Sequence, residues 1–234
     1  MGCHHSARFA ASQCLRVAHT GLKTMLSLLM QGQFALFLLL LVALILSLSV
    51  HEYGHAIVAK WFGDDTAERA GRLTLNPLSH IDPIGLAMVA TIGIGYAKPV
   101  PTDPRNYRLA TADLWVALAG PGMNLLLALV TWNVYAWLWQ HGWQNDGALI
   151  FFTLLAQINL LLMLFNLIPL GPLDGHYILP HLLPERWAAP YRRANARYGT
   201  GVFLALLLLS LAGLPLLTEL ANFSRLMLNW ITFV

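Results

Sequence analysis

Charge is what this sequence has least of: Lys, Arg, Asp and Glu make up 11% of its 234 residues, against 57% hydrophobic residues. A soluble domain needs far more polar surface, so the composition predicts an integral, multi-pass membrane protein. Cysteine is nearly missing too. Cys3 and Cys14 both lie in the polar N-terminal arm, which excludes a disulfide framework for the apolar part. The basic residues leave a formal net charge of +3 but are scattered through connections and form no stripe, so nucleic acid is not an expected partner. There is no internal repeat and no long low-complexity tract.

Long apolar runs are what the sequence has instead. Phe34 to Val50 is uninterrupted, and 114–139, 148–168 and 200–218 are similarly apolar. Each is about long enough to cross a roughly 30 Å hydrocarbon core as a helix, and open sheets do not face lipid. The expected fold is an all-α polytopic bundle of about four to six transmembrane segments. Residues 1–32 form a basic arm, interfacial or disordered; Arg8, Arg16 and Lys23 resemble a signal peptide's opening, but 34–62 is too long for its apolar region and no small-residue cleavage site follows. Residues 33–220 form the membrane domain and 221–234 a short interfacial tail. Within the domain, 64–113 carries Pro77, Pro83 and "TIGIGYAKPVP", which predicts a re-entrant region of short strands and turns packed against protein.

Inside the first apolar helix stands "HEYGH", costly in hydrocarbon unless compensated. His51 and His55, four apart, share one helix face, the spacing at which two imidazoles reach one zinc ion. Glu52 can then serve as general base towards a water on that ion. Catalytic zinc wants three protein ligands and an open position. Asp174, just beyond the broken helix end "NLIPLGPLD", is the candidate third. For it to meet the two histidines, the first and third helices must end on the same side, so 64–113 leaves and re-enters there. Arg69, Arg72, Lys98, Arg105, Arg108, Arg186, Arg192, Arg193 and Arg197 share that side, which the positive-inside bias makes cytoplasmic. The basic N-terminal arm falls on the opposite side in this arrangement.

These residues resemble the site-2 protease family of intramembrane zinc metalloproteases, in particular its compact prokaryotic branch without a PDZ domain. The likeness covers about 34 to 180: HEYGH, "AGRLTLNPLSHIDPIG", "AKPVP", "AGPGMN" and "NLIPLGPLDG". It implies one zinc per chain held by His51, His55 and Asp174, with Glu52 activating water and Asn166 steadying the oxyanion; capping of the helix break is the plainer role for Asn166. It also implies a prokaryotic cytoplasmic membrane, with the active site towards the cytoplasm. One departure stands out. Where that family often has a second proline two residues after the first, this chain has Gly171 followed by Pro172, which predicts a looser turn.

The expected activity is zinc-dependent endopeptidase cleavage in or near transmembrane segments of membrane-protein substrates, within the lipid bilayer. The alternative is a zinc-binding membrane protein without proteolysis, either a metal transporter or a pseudoprotease adaptor. Among the other polar residues, His80 is expected to be structural, with an accessory place at the metal as its alternative, His176 to face the cytoplasmic connection, and Asn124 to bond a neighbouring helix, with a place near the substrate as its alternative. The sequence does not set an oligomeric state.

Overall fold

A computed structural model of the chain describes residues 25–233 except 93, 94 and 96, so most of the basic arm, with Cys3 and Cys14, lies outside the described residues. The described elements are helices: α1 (Met25–Met30), α2 (Phe34–Trp61), α3 (Thr66–Arg69), α4 (Pro83–Ile92), α5 (Ala112–Gln140), α6 (Asp146–Asn166), α7 (Gly175–Leu182), α8 (Glu185–Ala194), α9 (Thr200–Leu211) and α10 (Leu216–Trp230). Among the described residues four helices are long and apolar enough to cross a membrane: α2, α5, α6, and the continuous helix Glu185–Leu211 made by α8, a π-helical turn at Asn195–Gly199, and α9. Their exposed faces carry Leu38, Val42, Leu126, Val130, Leu204 and Leu208. Such a surface suits hydrocarbon, not water, and the chain is an integral membrane protein.

Small residues let the spans approach closely, as packing without a hydrophobic drive requires. Ala43, Ser47, Ala56, Ala59, Ala128 and Ala156 are fully buried. Where α2 crosses α5, a Cβ on Gly54 would stand 2.7 Å from Met123 Cγ and 2.8 Å from the Ala119 carbonyl oxygen. Any side chain there would force these two helices apart.

The re-entrant region leaves the end of α2 and returns to it. His55, near the end of α2, contacts the Val116 carbonyl in the first turns of α5, so both helix ends lie on one side. Between them α4 has 10 residues, about 15 Å of helix, too short to cross. It faces the middle of α2, where Leu44, Ile45 and Leu48 line a small cavity with Gly85, Leu86 and Val89, and it packs on α1. The chain then doubles back against α4, for a Cβ on Gly95 would stand 2.1 Å from the Gly85 carbonyl oxygen.

Two expectations change. No paired strand forms in 64–113 among the described residues. Pro99, Pro101 and Pro104 have no N–H for a ladder, and N–H groups beside them bond inward: Lys98 to the His80 carbonyl at 2.9 Å and Val100 to Glu52 Oε2 at 2.9 Å. The C-terminal residues, expected as a separate tail from 221, are the later part of α10. The fourth apolar helix stops at Leu211, where Gly213 has φ +116° and Pro215 follows. The polypeptide then turns, and Leu228 and Ile231 pack against Ala128, Ala156, Leu160 and Met163. Asn133 holds this end, donating to the Ile231 carbonyl at 2.7 Å and accepting from the Phe233 N–H at 2.8 Å.

Candidate metal centre

The buried stretch of α2 around His51 lies roughly 25 Å along the helix from Phe34 and about 15 Å before Trp61, at 1.5 Å per residue. Each imidazole is fixed from behind. His51 Nδ1 stands 2.6 Å from Asn124 Oδ1 on α5, and His55 Nδ1 stands 2.7 Å from the Val116 carbonyl oxygen. A carbonyl oxygen only accepts, so each Nδ1 carries the proton and each Nε2 presents a lone pair.

Those two lone pairs converge with a carboxylate. His51 Nε2 and His55 Nε2 are 3.1 Å apart, and Asp174 Oδ2 lies 3.3 Å from the first and 3.5 Å from the second. The Asp174 oxygen is buried without a hydrogen-bond partner. Three acceptors and no donor therefore face one point, an arrangement that a bound cation would satisfy. Ligand atoms around a tetrahedral zinc with bonds of about 2.0–2.1 Å stand about 3.3 Å apart. The three separations bracket that value, and the neutral-imidazole and carboxylate donor set suits the same ion. The trio could hold one zinc ion.

Backbone shape makes room for the cluster. Gly120 lies against both rings: a Cβ there would stand 2.3 Å from His55 Nε2 and 2.6 Å from His51 Cε1. Asp174 comes from the turn between α6 and α7, and a Cβ on the next residue, Gly175, would stand 2.4 Å from both the Leu167 and Ile168 carbonyl oxygens. The turn is held from the fourth helix: Tyr191 Oη donates to the Pro169 carbonyl at 2.8 Å, and the Gly171 N–H donates to Asn195 Oδ1 at 2.9 Å. Asn195 opens the π-helical turn, a distortion that often accompanies functional sites. The departure at Gly171 thus creates a tether. A proline there would have no N–H to give Asn195, so the turn is fastened where a looser one was expected.

The other candidates fall as follows. Glu52 is buried beside His51, one oxygen accepting from the Val100 N–H. Asn166 donates to the Leu162 carbonyl of its own helix at 3.0 Å, an intrahelical bond. His80 is buried, with Nε2 2.8 Å from the Thr74 carbonyl oxygen. His176 Nδ1 stands 2.6 Å from the Leu173 carbonyl oxygen. Asn124, expected to bond a neighbouring helix, does so and also orients His51. The tethering roles of Asn195, Tyr191 and the Val116 carbonyl were not anticipated. Two of these act on or through backbone oxygens, which leave no trace in side-chain identity.

Within the re-entrant segment, Asp64 fastens the chain just beyond α2. It is fully buried and accepts from the Thr66 and Asp103 N–H groups, Thr66 Oγ1 and Asn106 Nδ2. Burial alone would push its pKa up, but these hydrogen bonds outweigh that and hold it below the usual carboxylate value.

Comparison with known proteins agrees with this chemistry. The family model of Peptidase family M50 matches residues 39–145 and 138–210. YwhC of Bacillus subtilis, provisionally named a zinc metalloprotease, is 41% identical over 173 residues, which are 71% of this chain and 78% of that protein. Rip2 of Mycolicibacterium smegmatis, named likewise, is 36% identical over 155 residues, 64% of this chain and 59% of that protein. Its namesake from Mycobacterium tuberculosis strain Erdman is 32% identical over 179 residues, 72% and 68% respectively. No solved structure gives a significant match. A family match along most of the chain, and a relative alike over most of its own length, establish that this protein belongs to peptidase family M50, the site-2 protease family, and is a zinc metalloendopeptidase.

Proposed function

We propose that the protein cleaves peptide bonds in or near the transmembrane segments of membrane-protein substrates, using His51, His55 and Asp174 as zinc ligands and Glu52 as general base. The observation that carries this reading is position. The three converging donor atoms belong to one buried side chain, His51, and two partly buried ones, His55 and Asp174, carried by α2 and by the turn after α6, spans whose outer faces are apolar. A bond brought to them must enter the span region.

Zinc, when bound, polarises the scissile carbonyl and lowers the pKa of a coordinated water to about 7. The protein's own groups do the rest. His51 and His55 offer Nε2 lone pairs with their tautomers set by Asn124 Oδ1 and the Val116 carbonyl. Glu52, held by the Val100 N–H, takes the water's proton and passes it to the leaving amine. For Asn166 we retain the proposal of oxyanion stabiliser, reached by release of its bond to Leu162 when substrate binds. His51 and Glu52 are buried where α2 packs on its neighbours, which strengthens the interactions they make. The basic residues of 63–113 and 171–199 favour a site towards the cytoplasm by the positive-inside bias, and the protease domain is residues 33–220, with 64–113 as its re-entrant part and the rest of α10 packed onto it.

The test is cleavage in proteoliposomes of a panel of single-span membrane proteins beside casein, by the wild type and by Glu52→Gln. The expected result is cleavage within spans by the wild type alone, with zinc retained in the variant. Casein cut as fast as the spans would overturn the intramembrane assignment, and undiminished cleavage by Glu52→Gln would overturn the role of Glu52.

A further inference from the structure

Behind His51 lies a chain of buried polar groups that crosses three spans. Asn124 on α5 accepts from His51 through Oδ1; its Nδ2 donates to Asn159 Oδ1 on α6 at 2.7 Å and to the Ser47 carbonyl on α2 at 3.2 Å. Asn159 Nδ2 donates to Ser47 Oγ at 2.8 Å and to the Leu155 carbonyl at 2.7 Å. Ser47 Oγ donates to the Ala43 carbonyl at 2.7 Å. Ser47, Asn124 and Asn159 are all fully buried. Three polar side chains in apolar helices are costly unless every group is paired, and here every side-chain oxygen and nitrogen is.

The chain of bonds has only one polarity. It ends on backbone carbonyls, which accept only, so Ser47 must donate to Ala43 and accept from Asn159. Asn159 must then turn its Nδ2 towards Ser47 and Leu155, and its Oδ1 towards Asn124. Asn124 must meet that oxygen with its Nδ2, leaving Oδ1 for His51. Flipping the Asn124 amide would set its oxygen against both Asn159 Oδ1 and the Ser47 carbonyl. Because Oδ1 faces the ring, Nδ1 of His51 holds the proton and Nε2 is bare. The alternative tautomer would carry N–H at Nε2, pointed at His55 and Asp174, and would block a metal.

The structure assigns Asn159 as a positioning residue for the metal centre: it fixes the Asn124 amide and, through it, the His51 tautomer able to bind zinc. This rests on the reading of His51 as a zinc ligand. Outer partners of ligating histidines typically change metal affinity by about 10–100-fold when removed, and Asn159 acts one bond further out.

The experiment is zinc affinity by chelator competition, with thermal unfolding measured in parallel, on detergent-purified full-length wild type, Asn159→Leu, Asn124→Leu, the double variant and His51→Ala. Leucine fills the amide volume in helices that are already apolar. The milder Ser47→Ala, which removes one acceptor for Asn159, backs up any variant that fails to fold. The expected result is weakening of roughly 10–100-fold for Asn124→Leu, a smaller but clear loss for Asn159→Leu, and a double variant no worse than Asn124→Leu alone, because both act on one bond. Wild-type affinity in folded Asn159→Leu, or fully additive losses in the double variant, would overturn the relay. Zinc binding unaltered in His51→Ala would instead overturn the site reading on which it rests. If only Ser47→Ala folds, unchanged zinc affinity in it counts against the relay.

Discussion

Gly120 and His55 stand in a contact that leaves no space for a side chain: a Cβ on Gly120 would lie 2.3 Å from His55 Nε2. Two residues on, Gly122 faces open space, with nothing within 4 Å of the same position. Gly120→Ala is therefore expected to reduce zinc content and peptide-bond cleavage at least about 100-fold, since the displaced atom would be a ligand. Gly122→Ala is expected to leave both unchanged, and the better helix propensity of alanine makes it neutral or slightly stabilising. Elemental analysis and cleavage of the two variants side by side decide this; equal behaviour would mean that α5 does not approach the rings.

Removing Asp174 leaves two imidazoles and no anionic donor. Wild-type protein purified in detergent is expected to carry about one zinc per chain, and Asp174→Ala to lose it or hold it far more weakly. Metal analysis gives the answer. Full retention by the variant would transfer the third ligand elsewhere.

Asn195 touches no donor atom of the site, yet it accepts the Gly171 N–H that fastens the Asp174 turn. One such hydrogen bond is worth about 1 kcal/mol, so Asn195→Ala should weaken zinc retention by roughly 3–10-fold with the four spans intact. Gly171→Pro, which deletes the donor, should reproduce the effect. Chelator competition on both variants measures it, and a loss in one without the other would break the proposed pairing.

Acid should loosen the segment beyond α2 through Asp64. Its pKa is lower in the folded state than in the unfolded chain, so its contribution is complete above the unfolded value and is lost as the pH falls through the folded value. Asp64→Asn is expected to melt several degrees below the wild type at pH 7. The gap should narrow progressively as the pH is lowered from about 5, because the wild type then loses what the variant never had. Thermal unfolding in detergent across that range tests the sign; a gap that widens in acid contradicts it.

Much of this was legible in the sequence. Apolar length marked the spans, and one metal site shared by HEYGH and LDG requires their ends to lie together, so the re-entry of 64–113 follows from that placement. The start of the fourth helix was not legible. Hydropathy reports apolar runs, while Glu185–Ala194 is a helix with Arg186, Arg192 and Arg193 exposed, which no apolar run marks. The re-entrant strands failed because their β-like residues alternate with prolines. Asn159 went unread because a lone amide in an apolar helix shows that a partner exists without saying which. Asn195 was hidden more deeply, since its partner is the N–H of a glycine.

The tie between Asn195 and Gly171 has a mechanical consequence. Two donor atoms of the cluster stand on α2 and are braced by α5, within the tightly packed part of the bundle. The third stands on a turn fastened to the Glu185–Leu211 helix, of whose most apolar stretch only 6% is buried. The cluster is thus a tripod with two feet on bedrock and one on a float, and whatever tilts that helix in the lipid is felt first at Asp174.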